Sequence, residues 1–135
     1  MKLRVVSSRN EIQSLNPNEK MIHMAFRGSN VDYMNLMQRC PRLRAIQVPP
    51  SYSKTMSHSI QFVIDMQGIE ILKGDVWGHR KDLDDYFAID DSIMKKIVAL
   101  AESGASSEEI ANQMQEEARL GPDLIKYIAK NKITV

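Results

Sequence analysis

The stretch Ile93–Lys132 decides how the chain divides. It reads IMKKIVALAESG (Ile93–Gly104), ASSEEIANQM (Ala105–Met114), QEEARL (Gln115–Leu120) and GPDLIKYIAKNK (Gly121–Lys132). Over Ser92–Ser103, residues Ile93, Ile97, Leu100 and Ala101 fall at i, i+4, i+7 and i+8, one apolar helical stripe. Gly104 follows the last turn, where glycine takes left-handed backbone angles at little cost. A second helix opens with Ser106 as N-cap and Glu109 three residues on, a capping-box spacing, and turns Ile110, Ala111 and Met114 inward. A third starts at Gly121-Pro122, with proline pre-organised at the first helical position, and buries Leu124, Ile125 and Ile128. Three short helices around a tight capped turn form the layout of a helix-turn-helix unit.

Upstream, the first 88 or so residues show a β/α rhythm. Leu3–Ser7, Met21–Phe26, Leu43–Val48 and Ile69–Lys73 read as four strands. Between them lie helical patterns: a short turn at Arg9–Leu15, then Val31–Arg39 with Val31, Met34 and Met37 on one stripe behind a Ser29/Asp32 capping spacing, then Lys54–Gln67 with Met56, Ile60, Val63 and Ile64. Alternation of this kind predicts α/β architecture, a small parallel sheet of about four strands with crossover helices. Met21-x-x-Met24-x-Phe26 and Leu43-x-x-Ile46-x-Val48 share a spacing 22 residues apart, stretching to 26 at Ile69. A leucine-rich-repeat-like solenoid and a doubly wound sheet both accommodate this. The acidic run Asp82–Asp91 (DLDDYFAIDD) joins this part to the helices, and no further strand pattern appears before Ile133–Val135. The expected division is therefore an α/β domain over 1–88 and a helical segment over 89–135. Residues 1–88 carry 12 Lys/Arg against 9 Asp/Glu, and residues 89–135 carry 6 against 8.

Composition bounds the function. A chain of 135 residues can bury a real core, and 43% hydrophobic with 26% charged residues argues against disorder. The formal net charge of +1 provides no global attraction for nucleic acid. One cysteine, Cys40, excludes an internal disulfide and is read as a packing residue. The opening MKLRVVSSRNEIQ lacks the apolar run of a secretory leader, and no segment nears the ~20 apolar residues of a membrane span, so a cytoplasmic protein with no membrane partner is expected. The methionines at apolar-periodic positions (Met21, Met24, Met34, Met37, Met56, Met66, Met94) read as core filling. His23, His58, His79 and Cys40 lack metal-ligand spacing, and neither a Walker A sequence nor G-x-G-x-x-G occurs, so no metal or cofactor is expected.

Two sets of side chains carry chemistry. On the third tail helix, Lys126, Tyr127, Lys130, Asn131 and Lys132 would contact duplex DNA, with cations for phosphates and an Asn able to pair with adenine. Two features oppose this. The link Gln115–Leu120 is longer than a usual turn, and Glu116, Glu117 and Asp123 would repel phosphates. In a parallel sheet, three polar loops meet at the C-terminal strand ends, where open α/β sheets bind ligands. They contribute Arg27 and Ser29, then Ser51 and Lys54, then Asp75, Trp77, His79 and Arg80, a set suited to a small anionic ligand.

The segment ESGASSEEIA resembles the first helix, turn and second helix of many helix-turn-helix regulators. LRVVSSRNEI, LNPNEKMIHMAFRGSN, CPRLRAIQVPPSYSKTMS and MQGIEILKGDVWGHRKD resemble a family of short archaeal proteins, mainly from methanogens, known as a domain of unknown function. That resemblance implies an archaeal, cytoplasmic origin and brings no activity with it. The combined expectation is a small regulator. Its tail binds DNA as a symmetric dimer, while the α/β part senses an anion or self-associates. The rivals are a protein-protein interaction module without DNA binding, and a small enzyme for a phosphorylated or acidic substrate with Asp75 and His79 as acid and base.

Overall fold

Alternating side chains bury both faces of a five-stranded sheet in the computed structural model, which describes residues 1–133. Strands β1 (Lys2–Val6), β2 (Met21–Met24), β3 (Ala45–Val48) and β4 (Glu70–Lys73) are parallel and lie side by side in the order β4-β3-β2-β1. A fifth strand, β5 (Tyr86–Ala88), adds antiparallel to β1. It sits inside the acidic run read as a connector, and three residues flanked by aspartates are too short to show a strand period. The parallel order never reverses, so the doubly wound alternative is not adopted. The 22-residue spacing is also not the register: Met21 pairs with Ala45 and His23 with Gln47, 24 residues apart.

One sheet face takes all the crossovers. A 3-10 turn (Arg9–Ser14), α1 (Asn30–Arg39), the short α2 (Pro50–Ser53) and α3 (His58–Met66) connect the parallel strands. Ile12, Leu15, Tyr33, Leu36, Ile60 and Ile64 share a core with Val6, Ile22, Ile46 and Val48. The predicted helix Lys54–Gln67 starts late, at His58: Lys54–Ser57 form a turn after α2, because Ser57 caps α3 by accepting from the Ile60 amide and Met56 turns into the core. The predicted stripe of α1 is rotated. Asp32, Tyr33 and Leu36 are buried, whereas Val31 and Met34 are exposed. Met21, Met24, Met56 and Met94 do fill the core, but Met66 does not. The capping box at Ser29 and Asp32 forms as read.

The opposite face takes the tail. Leu3, Met21, Ala45 and Leu72 share one core with residues of α4 (Asp91–Glu102), α5 (Ser107–Ala118) and α6 (Pro122–Asn131). Met94, Ile97, Ile110, Leu124, Ile125 and Ile128 are its centre. The helical segment is thus a layer laid on the sheet. Its turn also differs from the sequence reading. α5 continues to Ala118, leaving only Arg119, Leu120 and Gly121 between α5 and α6. That is the usual helix-turn-helix length, so the objection from a long link falls. Ile133 follows α6 without entering a strand; the rest of the strand-like close, Thr134 and Val135, lies outside the described residues.

Candidate functional site

α6 has five of its ten residues buried: Leu124, Ile125, Tyr127, Ile128 and Ala129. Leu124, Ile125 and Ile128 face the helical core, and the flank carrying Asp123 and Tyr127 rests on the sheet. Asp123 Oδ2 accepts from the Lys73 amide at 3.0 Å, and the backbone of Gly121 abuts Lys73 and Gly74. Tyr127 is only 8% exposed and packs in the shared core, which corrects its reading as a DNA contact. What stays open is Asn131 at the helix end and a narrow stripe at i, i+4 and i+8: exposed Pro122 and Lys130 with half-buried Lys126 between them. Lys126 Nζ lies 3.1 Å from Glu108 at the start of α5, and Lys130 Nζ lies 3.5 Å from Glu70 on β4. Asn131 donates to its own helix at the Tyr127 carbonyl (2.9 Å) and so helps end α6. Lys132 is exposed, with a left-handed backbone at the C-cap.

At the strand ends, two of the three loops are tied together. The Arg27 guanidinium lies 4.8 Å over the Tyr52 ring and donates to Thr55 Oγ1, and Ser57 donates to Asn30 Oδ1 at 3.0 Å. Ser29 is occupied as the cap of α1, while Ser51 and Lys54 are exposed on and beside α2. The third loop points elsewhere. Arg80 forks onto Asp82 of its own loop at 3.0 and 2.7 Å, and Trp77 turns toward α5. The connection from β4 to β5 is anchored by Lys81, 2.9 Å from Glu11, and by Arg4, which reaches Glu11 at 3.5 Å and Asp85 at 3.6 Å. Arg27 therefore groups with Tyr52 and Thr55, and Arg80 is neutralised by its neighbour.

Beneath the third loop lies a polar pair inside the sheet. His23 Nδ1 and Gln47 Oε1 are 2.9 Å apart, on register partners of β2 and β3. Burial holds His23 below its ordinary value, against the pull of the Gln47 hydrogen bond and the Asp75 charge. His23 is thus a satisfied core residue, as its place within a strand suggested. Gln47 Nε2 and His79 Nε2 are buried without a protein partner, and His79 sits edge-on to Phe87 with ring centres 6.0 Å apart. A general acid-base pair needs both groups within reach of substrate; here Asp75 is exposed while His79 Nε2 is sealed. Sequence reading passed over Gln47, although a polar residue at the register position of His23 in an otherwise apolar strand was its available signal.

Comparison with known proteins gives two adjoining matches. Residues 2–85 match "Family of unknown function (DUF1699) N-terminal domain", and residues 92–130 match "Protein of unknown function (DUF1699) C-terminal HTH domain". No curated protein and no solved structure matches the chain. The first match spans more than half of the chain, and the second coincides with α4–α6. The chain belongs to the DUF1699 family, and its last three helices are that family's helix-turn-helix domain.

Proposed function

We propose that the protein is a DNA-binding transcriptional regulator whose helix-turn-helix contacts duplex DNA through Lys126, Lys130 and Lys132. The observation that carries this reading is the three-residue link Arg119–Gly121 between α5, capped by Ser106, and α6, with Lys126 and Lys130 on the outward side of α6. The carboxylates beside Lys126 and Lys130 do not bar phosphate binding, because exposed ion pairs contribute little and phosphates compete with them. With the Tyr127 flank on the sheet, the stripe serves phosphate contacts first. Deep entry of α6 into a major groove would require the tail to lift from β4. A homodimer would set two such stripes about one DNA turn, ~34 Å, apart.

A second reading is a protein-protein interaction module. It is favoured by the paired acids at Glu108 and Glu70 and by the acidic excess of residues 89–135. One experiment separates the two. Binding of the full chain to random duplex is measured at two salt concentrations, with Lys126→Ala/Lys130→Ala alongside. DNA binding predicts a steep loss with salt, and a log–log slope smaller by about 1.8 in the double variant, ~0.9 per phosphate contact. No binding at low salt removes the DNA reading and leaves the interaction module.

A further inference from the structure

A cavity of about 670 Å³ opens between the β4–β5 connection and the outer side of α5. That volume falls in the range of about 300–1,000 Å³ typical of small-molecule sites. Trp77 walls one side; Asn112, Gln115, Glu116 and Arg119 line the other, over the buried Leu120. A second depression shares Trp77, Arg119 and Leu120 and runs on toward Phe87 and Ile93. Trp77 is the chain's one tryptophan and is 49% exposed. An exposed indole beside a polar helix face is a flat apolar surface left uncovered in this fold.

Arg119 is the second observation. It holds φ 54°, ψ 37° at the C-cap of α5, the left-handed region where glycine is the inexpensive choice. The turn would form more readily with glycine, yet this position carries an arginine, which lines the groove together with Trp77. Backbone strain retained at a cavity edge marks a candidate functional residue.

We propose that this groove binds a nucleotide. Its planar ring would stack on Trp77, and the amides of Asn112 and Gln115, each donor and acceptor, would read the ring edge. Arg119 would fork onto the phosphate. Glu116 would accept from the ribose hydroxyls, as acidic residues do in dinucleotide sites. The ligand would touch both the strand-end connection and the helix-turn-helix, and so would bias how firmly the tail sits on the sheet. The site itself stands whether or not the tail binds DNA.

The single indole N–H makes a direct test. The ¹⁵N-labelled full chain is titrated with AMP, GMP, CMP, adenosine and inorganic phosphate, each up to about 5 mM, past a Kd of ~1 mM. AMP should shift the indole resonance saturably. Adenosine should bind about tenfold more weakly, and phosphate alone should leave the indole in place. Arg119→Gly should weaken AMP about tenfold or more without lowering the melting temperature, because glycine relieves the left-handed backbone. The proposal is overturned if neither AMP, GMP nor CMP shifts the indole, or if Arg119→Gly binds AMP as the parent does. Either result leaves the DNA titration above independent.

Discussion

Replacing Gly121 with alanine tests the seat of the tail on the sheet. Gly121 is the N-cap of α6 with φ −65°, a backbone that alanine adopts freely, so any cost must be steric. An added Cβ would lie 3.0 Å from the Lys73 carbonyl oxygen and 3.2 Å from Gly74 Cα. Both are backbone atoms, and the Lys73 amide is itself held by Asp123 at 3.0 Å, so neither side yields cheaply. Overpacking of this kind costs about 1–3 kcal/mol. The lower entropy of the unfolded alanine chain returns about 0.4–1 kcal/mol. The net expectation is a loss of about 1–2 kcal/mol, read as a lower urea midpoint at unchanged m-value. The melting temperature should fall by about 4–8 °C. Asp123→Ala should couple to Gly121→Ala non-additively, since both act on one contact. Full stability in Gly121→Ala would mean that α6 does not rest on the β4 end at this distance, and the account of a shared core would fail with it.

Two further outcomes follow from buried groups. Asp32 accepts from Arg9 at 2.7 and 3.0 Å and from the Ser29 amide at 2.8 Å, and Arg9 chiefly holds its carboxyl below the usual range. A depressed carboxylate contributes stability that is full above its unfolded value near 3.9 and is lost as pH falls through the folded one. Asp32→Asn should therefore cost about 1.5–3 kcal/mol at neutral pH and much less near pH 2, checked by urea unfolding at both. Cys40 is 1% exposed, and burial raises its thiol to about 11. It should resist a thiol reagent at neutral pH in the folded protein and react at once in denaturant; rapid native labelling would refute its packing under Leu36 and Leu43.

How far each level was legible depends on the range of the interaction that sets it. Serine caps at Ser29, Ser57 and Ser106 lie within three residues of the amides they bind, so capping was open to reading. Only the Ser29 box closes in both directions, and the Ser57 cap starts α3 four residues later than periodicity suggested. The apolar stripe of α1 was misplaced around the helix, because Val31/Met34 and Tyr33/Leu36 are both helical spacings and only the neighbours choose between them. The same holds at the candidate site. Lys126 and Lys130 were visible as cations, but the carboxylates that meet them come from α5 and β4.

By itself the sequence determined four parallel-strand segments, their crossovers, a capped turn at Ser106 and three tail helices, because side-chain period and turn chemistry are local. Tertiary structure alone decided the rest. It added β5 at the edge of β1, ran the strands in unreversed order, and laid α4–α6 over Leu3, Met21, Ala45 and Leu72. It turned Tyr127 inward and brought Trp77 to Arg119. Those outcomes join residues tens of positions apart, and they follow from which apolar faces remain to be covered once the helices and strands have formed.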